Sequence, residues 1–207
     1  MNIEFKNLPN IPYMMANISA KTLDLLKKEF IDIKKNQKNE KFITGLTGNG
    51  TATQYRLKDK LEKIFLTEVR DLIEKYNNTI PYARRLSFLT KEVPLVLGKP
   101  WINLQKKNEF LPNHIHEGVL SYSCWVNIPY NINEELKDNK AQNYASLFSF
   151  LYNDILGTAM QHNIYVDKTY EGKIIIFPAA LTHCVYPFYT SNDYRVSVSG
   201  NASFLVN

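Results

Sequence analysis

The segment LPNHIHEGVLSYSCWVNI, residues 111–128, combines a β-strand pattern with a pair of histidines. Residues 115–128 are rich in β-branched and aromatic side chains, and they predict one long strand. Apolar side chains stand on both alternating sets of positions, so we expect both faces of this strand to be covered. His114 and His116 are two residues apart, and side chains at i and i+2 of a strand project from the same face. Both imidazoles are therefore expected to reach one metal ion.

A third histidine, His183, completes the pattern of a candidate metal site. A single buried histidine is more often a hydrogen-bonded core residue than a ligand, but a same-face pair with a distant third histidine meets the need for converging ligands. Imidazole is the commonest protein ligand for transition metals of the first row. Glu117 follows His116 directly, and it is an alternative ligand if a bulge near Gly118 turns its side chain inward.

Arg195 and Ser197 form a second i, i+2 pair, later in the chain. A planar guanidinium offers two parallel hydrogen bonds to a carboxylate, and a neighbouring hydroxyl adds another donor. The residues that alternate with them are apolar, so we expect a covered strand face, on which an arginine needs an anionic partner. Four other polar side chains on neighbouring strands are weaker candidates for the same pocket: Asn103, Gln105, Tyr122 and Asn127.

The rest of the chain divides into a helical part and a β part. Apolar residues recur at steps of three and four over residues 20–35 and 57–76, which predicts two amphipathic helices. After residue 86 the strand signature prevails, and the further predicted strands are residues 95–97, 101–105, 145–152, 162–166, 173–177, 183–188 and 195–205. We therefore predict a single α+β domain over residues 1–207, with mainly helical support in residues 1–85 and a β sandwich or barrel in residues 86–207.

Two stretches are predicted to be loops. Residues 131–143 are polar and aperiodic, which favours a surface excursion or lid. The glycine-rich residues 45–50 lack the ending of a phosphate-binding loop, so we interpret them as a plain loop.

Composition gives expectations about the partners and the location of the protein. The net charge of +5 and the pI of about 9.0 come from lysines spread over the chain, so a nucleic acid is possible as a partner but is not indicated. No apolar run has the roughly eighteen residues of a membrane span. The two cysteines show no CxxC spacing and no signal peptide is evident, so we expect a reducing, cytoplasmic location.

Three segments carry a resemblance to a known family: LPNHIHEGVLSY (residues 111–122), YEGKIIIFPAALTHCVYPF (residues 170–188) and YRVSVSGN (residues 194–201). They resemble the Fe(II)- and 2-oxoglutarate-dependent oxygenases, most closely a group of them encoded by marine and T4-like phages. The resemblance covers about the last half of the chain. It implies a double-stranded β-helix, or jelly roll, with supporting N-terminal helices, and for a phage protein a location in the bacterial host's cytoplasm. It also implies Fe(II), 2-oxoglutarate and dioxygen, with hydroxylation of a substrate and release of succinate and CO2.

The resemblance assigns roles to individual residues. In the family an HxD or HxE pair and a distal histidine bind the iron, and an arginine followed two residues later by serine binds the distal carboxylate of 2-oxoglutarate. His114, His183, Arg195 and Ser197 match these positions. His116 stands where the family has a carboxylate, so the site would be one charge unit more positive and would keep three open coordination positions.

Two other functions remain open on the sequence alone. One is a cupin-like metalloprotein that binds a metal with three histidines and does not use 2-oxoglutarate, since Gly172, Pro178 and His183 also have a cupin-like spacing. The other is a non-catalytic β-sandwich, such as a structural or accessory component of a phage. For an oxygenase, the substrate is equally open between a protein side chain, a nucleobase and a small molecule.

Overall fold

Two antiparallel sheets form the framework of this protein, in a computed structural model that describes residues 11–36, 52–80, 82–86, 93–137 and 144–205. The strands are β1 (Met14–Asn17), β2 (Thr53–Arg56), β3 (Leu95–Leu97), β4 (Trp101–Gln105), β5 (Leu111–His114), β6 (Leu120–Asn127), β7 (Leu147–Asn153), β8 (Ala159–Tyr165), β9 (Lys173–Pro178), β10 (His183–Val185) and β11 (Arg195–Phe204). The α-helices are α1 (Ala20–Asn36), α2 (Asp59–Thr79), α3 (Tyr82–Leu86) and α4 (Ile132–Glu135).

The connectivity of the strands is that of a jelly roll. The large sheet has seven strands in the order β1-β9-β6-β11-β4-β2, with β3 also paired to β11, and the small sheet has the order β5-β10-β7-β8. From β4 onward the chain passes back and forth between the two sheets, except at the hairpin of β7 and β8. The predicted α+β fold with a double-stranded β-helix core is thereby confirmed.

Two apolar layers hold the sheets and helices together. Between the sheets, an aromatic cluster includes Trp125, Phe148 and Phe177. On the other face of the large sheet, α1 and α2 bury Leu26 and Phe65 against the strands, and full burial of such a side chain contributes about 1.5–3 kcal/mol. The predicted helices over residues 20–35 and 57–76 are confirmed by α1 and α2. No helix among the described residues is long and apolar enough to cross a membrane.

The predicted continuous strand over residues 115–128 is wrong. β5 ends at His114, and β6 begins only at Leu120. Between them the chain crosses from the small to the large sheet, with Gly118 at a φ of 107° that residues with side chains rarely adopt. A Cβ atom at this position would lie 2.8 Å from the carbonyl oxygen of Ala202. His116 therefore lies in a crossover loop, not in a strand.

Other differences lie in the N-terminal part and in the excursion. β1 and β2 have four residues each and add to the large sheet, although the sequence predicted no strand there. Neither sequence, MMAN or TQYR, is a continuous run of β-branched and aromatic residues, which is the pattern that marks a strand. The excursion at residues 131–143 begins with the short helix α4, and its residues 138–143 lie outside the described residues, as does the glycine-rich segment 45–50.

Candidate metal centre and cavity

Three histidines converge at one end of the two sheets. The nearest imidazole nitrogens of His114, His116 and His183 all lie within 4.8 Å of one another. His114 is the last residue of β5 and pairs in register with His183, the first residue of β10. The crossover loop brings His116 to them, because its backbone N–H donates to the carbonyl of Ala179 at 2.9 Å. The convergence predicted from the sequence is present, but through loop geometry and not through a shared strand face.

Hydrogen bonds of two imidazoles decide which ring nitrogen is available to a metal. Nδ1 of His114 lies 2.7 Å from the carbonyl oxygen of Pro112, and Nδ1 of His183 lies 3.0 Å from that of Leu181. A carbonyl oxygen only accepts hydrogen bonds, so Nδ1 carries the proton in both rings and Nε2 keeps its lone pair for a metal. Hydrogen bonds of this kind fix ring orientation in metal sites.

Burial keeps the three imidazoles neutral. Desolvation lowers the pKa of His114, and it lowers the pKa of His116 to about 4 with a smaller contribution from the nearby His114. The pKa of His183 falls to about 3, mainly through burial and then through the charge of His114. At neutral pH no proton has to be displaced before a divalent cation binds.

Glu117, the alternative ligand, lies apart from this group. Its side chain is exposed at the rim of the adjacent cavity, and the group of converging ligand atoms among the described residues contains only the three histidines. The histidine nitrogens thus fit a facial metal site without a carboxylate.

A cavity of about 440 Å³ opens beside the histidines. Its opposite wall is a hydrogen-bonded group of polar side chains on the large sheet, which we call the polar floor: Gln54, Asn103, Ser123, Ser197 and Ser199. Apolar and aromatic side chains complete the lining, among them Trp101, whose ring centroid lies 6.0 Å from that of His116. No lysine or arginine lines the cavity among the described residues, so the polar floor is neutral.

Arg195 lies between the sheets but outside the lining of this cavity. Its side chain is 4% exposed, and protein acceptors take all five of its N–H donors. Gln105 accepts from Nε and Nη2 at 3.1 and 2.8 Å, and the Tyr130 hydroxyl accepts at 3.3 Å. The carbonyls of Ser146 and Tyr186 accept at 3.2 and 2.5 Å. Among the described residues Arg195 makes no ion pair. Its buried charge is balanced by these neutral acceptors and by the rings of Tyr130 and Phe188, whose centroids lie 5.9 and 5.5 Å from the guanidinium carbon.

The predicted pocket residues are therefore only partly brought together. Ser197 and Asn103 lie in the polar floor, whereas Gln105 bonds Arg195 outside the cavity. Asn127 also lies outside the lining, and its Nδ2 donates to the carbonyl of Tyr194 at 2.7 Å.

Tyr122 belongs to the cavity wall and to the core on the helix side. Its ring packs against Phe65 of α2 at a centroid distance of 6.1 Å. Its hydroxyl occupies the space where a side chain at Gly200 would lie, which explains the glycine at that position. Burial raises the pKa of Tyr122, so the phenol stays protonated.

Sequence reasoning missed four polar residues of the cavity, which are Gln54, Ser123, Ser199 and Asn201. Ser199 and Asn201 continue the alternation that begins at Arg195 and Ser197, so the i, i+2 pattern extended by two steps would have found them. Gln54 carries no such signal, because it belongs to the unpredicted strand β2.

Comparison with known proteins identifies the segment that carries the site. A family model described as "Putative 2OG-Fe(II) oxygenase" matches residues 99–201. That segment contains the three histidines, Arg195 and Ser197. No curated protein matches the chain in sequence.

Solved structures of similar fold include proteins from bacteria and a virus. A Pseudomonas putida prolyl-4-hydroxylase is 12% identical with a TM-score of 0.63, over 93% of this chain and 92% of that one. The viral collagen prolyl hydroxylase of Paramecium Bursaria Chlorella virus-1, in complex with 2-oxoglutarate, is 11% identical with a TM-score of 0.54, over 92% and 96%. HygX from Streptomyces hygroscopicus, with nickel, 2-oxoglutarate and hygromycin B bound, is 10% identical with a TM-score of 0.56, over 92% and 82%. At such identities the likeness shows a shared fold.

Proposed function

Because this chain belongs to the Fe(II)- and 2-oxoglutarate-dependent oxygenase superfamily, we propose that His114, His116 and His183 hold the iron of a hydroxylase. The observation that carries the proposal is the convergence of three neutral imidazoles beside a cavity, with their nitrogens within 4.8 Å of one another. When bound, Fe(II) together with 2-oxoglutarate and dioxygen supplies oxidative decarboxylation to succinate and CO2, coupled to hydroxylation of a substrate C–H bond.

The chain's own residues orient and protect this chemistry. The carbonyls of Pro112 and Leu181 hold two imidazole rings so that Nε2 faces the shared position. Three protein ligands leave three of six coordination positions open, which suffices for a chelating cosubstrate and dioxygen. Aromatic side chains of the wall, Phe148 and Phe177, exclude water from one side.

We propose that the distal carboxylate of 2-oxoglutarate binds at Ser197, with Arg195 as the nearby positive charge. Ser197 is in the polar floor, and Arg195 is two residues away on the same face of β11. A buried guanidinium whose partners are all neutral attracts an anion, because a carboxylate is a stronger acceptor than a carbonyl. For a direct contact, one of the carbonyl acceptors of Arg195 would have to be exchanged for the carboxylate.

One observation favours a second candidate function. The N–H groups of Arg195 are all bonded within the protein, which suits a three-histidine metalloprotein that does not take 2-oxoglutarate. In that case the metal binds but 2-oxoglutarate is not consumed.

Succinate release distinguishes the two functions. We expect the purified protein to form succinate from 2-oxoglutarate in air only when Fe(II) is added, and His183→Ala to abolish this activity. His162→Ala is the matched control, because His162 is exposed on β8 and outside the group of three. Iron binding without any succinate would favour the second function, and equal loss in both variants would contradict the assignment of the ligands.

The primary substrate remains a choice between a prolyl or other protein side chain, a nucleobase and a small molecule. Of the three similar structures named above, two are prolyl hydroxylases and one has hygromycin B bound. A screen of all three classes for compounds that stimulate succinate release would identify the class.

A further inference from the structure

The last strand of the small sheet, β8, has one open edge. It pairs only with β7, so the other side of its backbone has no partner strand in the described part of the chain. Its seven residues stay in regular register with β7, from Ala159 opposite Asn153 to Tyr165 opposite Leu147. Alternate residues along such an edge direct their N–H and C=O groups outward. These groups are free to pair with another strand.

The features that keep sheet edges from pairing are missing in β8. Folded proteins protect an edge with charged side chains, proline, a bulge or a very short strand. The sequence of β8, AMQHNIY, has no Lys, Arg, Asp, Glu or Pro, and its pairing with β7 shows no bulge. The other edge strands of the described residues, β1, β2, β3 and β5, have only three or four residues each. In addition, β2 ends with Arg56 and β5 contains Pro112.

The tip of the β7–β8 hairpin is apolar and exposed. Ile155 and Leu156 are 76% and 86% exposed, more than any other large apolar side chain in the part of the chain that the structure describes. The turn has a defined conformation, because the Asp154 carboxylate accepts from the backbone N–H groups of Leu156 and Thr158 at 2.9 Å each. An open strand edge and an ordered apolar tip on one hairpin indicate a surface that binds protein.

A second copy of β8 fits this edge. Identical strands related by a two-fold axis through a sheet run antiparallel, and side chains directly opposite each other lie on the same face. The register that pairs all seven residues places His162 opposite His162 of the second copy, and it meets this condition. Gln161 then lies opposite Asn163 of the second copy. No two like charges from Lys, Arg, Asp or Glu meet, because β8 contains none of these residues.

We propose that two copies of this chain associate through β8, in an antiparallel pair that joins their small sheets into one sheet of eight strands. The exposed tip of each hairpin then lies beside residues 166–168 of the other copy. The two β10 strands, which carry His183, would be five strand spacings, or about 24 Å, apart in this sheet. The association depends only on the hairpin and is independent of the reaction.

Sedimentation equilibrium of the full chain measures the association. An interface of one strand pair and two hairpin tips is small, so we expect a dissociation constant of about 1–100 µM. The mean mass should rise from 24.0 kDa toward twice this value as the protein concentration increases. A mass that stays at 24.0 kDa up to a concentration of about 1 mM would overturn the proposal.

Charges placed on opposite residues test the register. Gln161→Glu combined with Asn163→Asp puts acidic side chains opposite each other and should weaken the association at least about tenfold. Gln161→Lys combined with Asn163→Asp puts opposite charges there, and its dissociation constant should stay within about threefold of the original or fall below it. Lys60→Gln combined with Lys75→Gln is the matched control, since it changes the net charge by the same amount as the acidic pair, on exposed residues of α2.

The hairpin tip gives an independent test. Leu156→Ser should weaken the association at least about threefold, because an apolar side chain is lost from the interface. Ile31→Ser is its control and should have no effect, since Ile31 is a 45% exposed apolar residue on α1. Thermal melting verifies that each variant is folded. Association that persists unchanged in the acidic pair, or that is lost equally in the acidic pair and in the lysine–aspartate pair, would overturn the proposal.

Discussion

Replacing Arg195 by methionine tests both the packing of the two sheets and the proposed cosubstrate site. Methionine keeps most of the side-chain volume and removes all five N–H donors. The Gln105 amide and the carbonyls of Ser146 and Tyr186 then lose their donor. Each buried acceptor left unpaired costs about 1–3 kcal/mol, so after relaxation we expect a loss of about 3–5 kcal/mol in the free energy of unfolding.

Urea unfolding of the metal-free protein measures this loss. With a slope of about 2 kcal/mol per molar urea, the midpoint should fall by about 2 M. The matched control is Arg70→Met, because Arg70 is exposed on α2, and such substitutions usually change the stability by less than about 0.5 kcal/mol. A loss below about 1 kcal/mol for Arg195→Met would refute the interpretation that its hydrogen bonds connect the sheets.

The same variant separates a structural role from a role in binding. If the charge of Arg195 attracts the distal carboxylate, 2-oxoglutarate should bind to the folded, metal-loaded variant about tenfold more weakly or worse, since a charged hydrogen bond contributes about 1.5–3 kcal/mol. Calorimetry below the variant's melting temperature measures this. Unchanged affinity would leave Arg195 with a structural role only.

Three further predictions concern the metal centre and its loop. Because burial lowers the pKa of His116 to about 4 and that of His183 to about 3 from 6.5, the unfolded chain binds protons that the folded chain does not. The metal-free protein should therefore have its full stability above about pH 6.5. As the pH falls toward 4, its free energy of unfolding should decrease by up to about 1.4 kcal/mol per pH unit for each of these histidines. Urea midpoints that stay constant over this interval would contradict the burial of the two imidazoles. Gly118→Ala should destabilise the protein by about 2 kcal/mol or more, because the new Cβ would have both a positive φ and a close contact with a backbone oxygen. Gly157→Ala is the control, since Gly157 has a positive φ but no atom within 4 Å of a Cβ, and it should cost about 1 kcal/mol. Equal losses of stability would argue against the close contact at Gly118. His116→Gln should abolish equimolar Fe(II) binding and Glu117→Gln should leave it unchanged, as measured by metal analysis after gel filtration; the opposite result would make the glutamate the ligand.

The three histidines of the candidate metal centre could be predicted from the sequence because histidine is rare in this chain. Three histidines in one pattern indicate a metal whether or not the local backbone is predicted correctly, and the strand assumed for His116 is in fact a loop held by Ala179. The jelly roll was predictable for a similar reason, since short β-branched runs mark most of its strands.

Partners that come from distant backbone could not be predicted. The i, i+2 spacing places Arg195 and Ser197 on one face, but only the folded chain brings the carbonyls of Ser146 and Tyr186 to the guanidinium. Gln54 was missed for a different reason, because its strand β2, with the sequence TQYR, is not a continuous run of β-branched and aromatic residues.

Anaerobic calorimetry of 2-oxoglutarate binding tests the central claim most directly. The claim is that the three histidines and the polar floor form one iron and 2-oxoglutarate site. We expect a single molecule of 2-oxoglutarate to bind to each Fe(II)-loaded chain, no measurable binding to the metal-free chain, and loss of binding in both His183→Ala and His116→Gln. Binding of Fe(II) without any binding of 2-oxoglutarate, or binding of 2-oxoglutarate that does not depend on the metal, would contradict it.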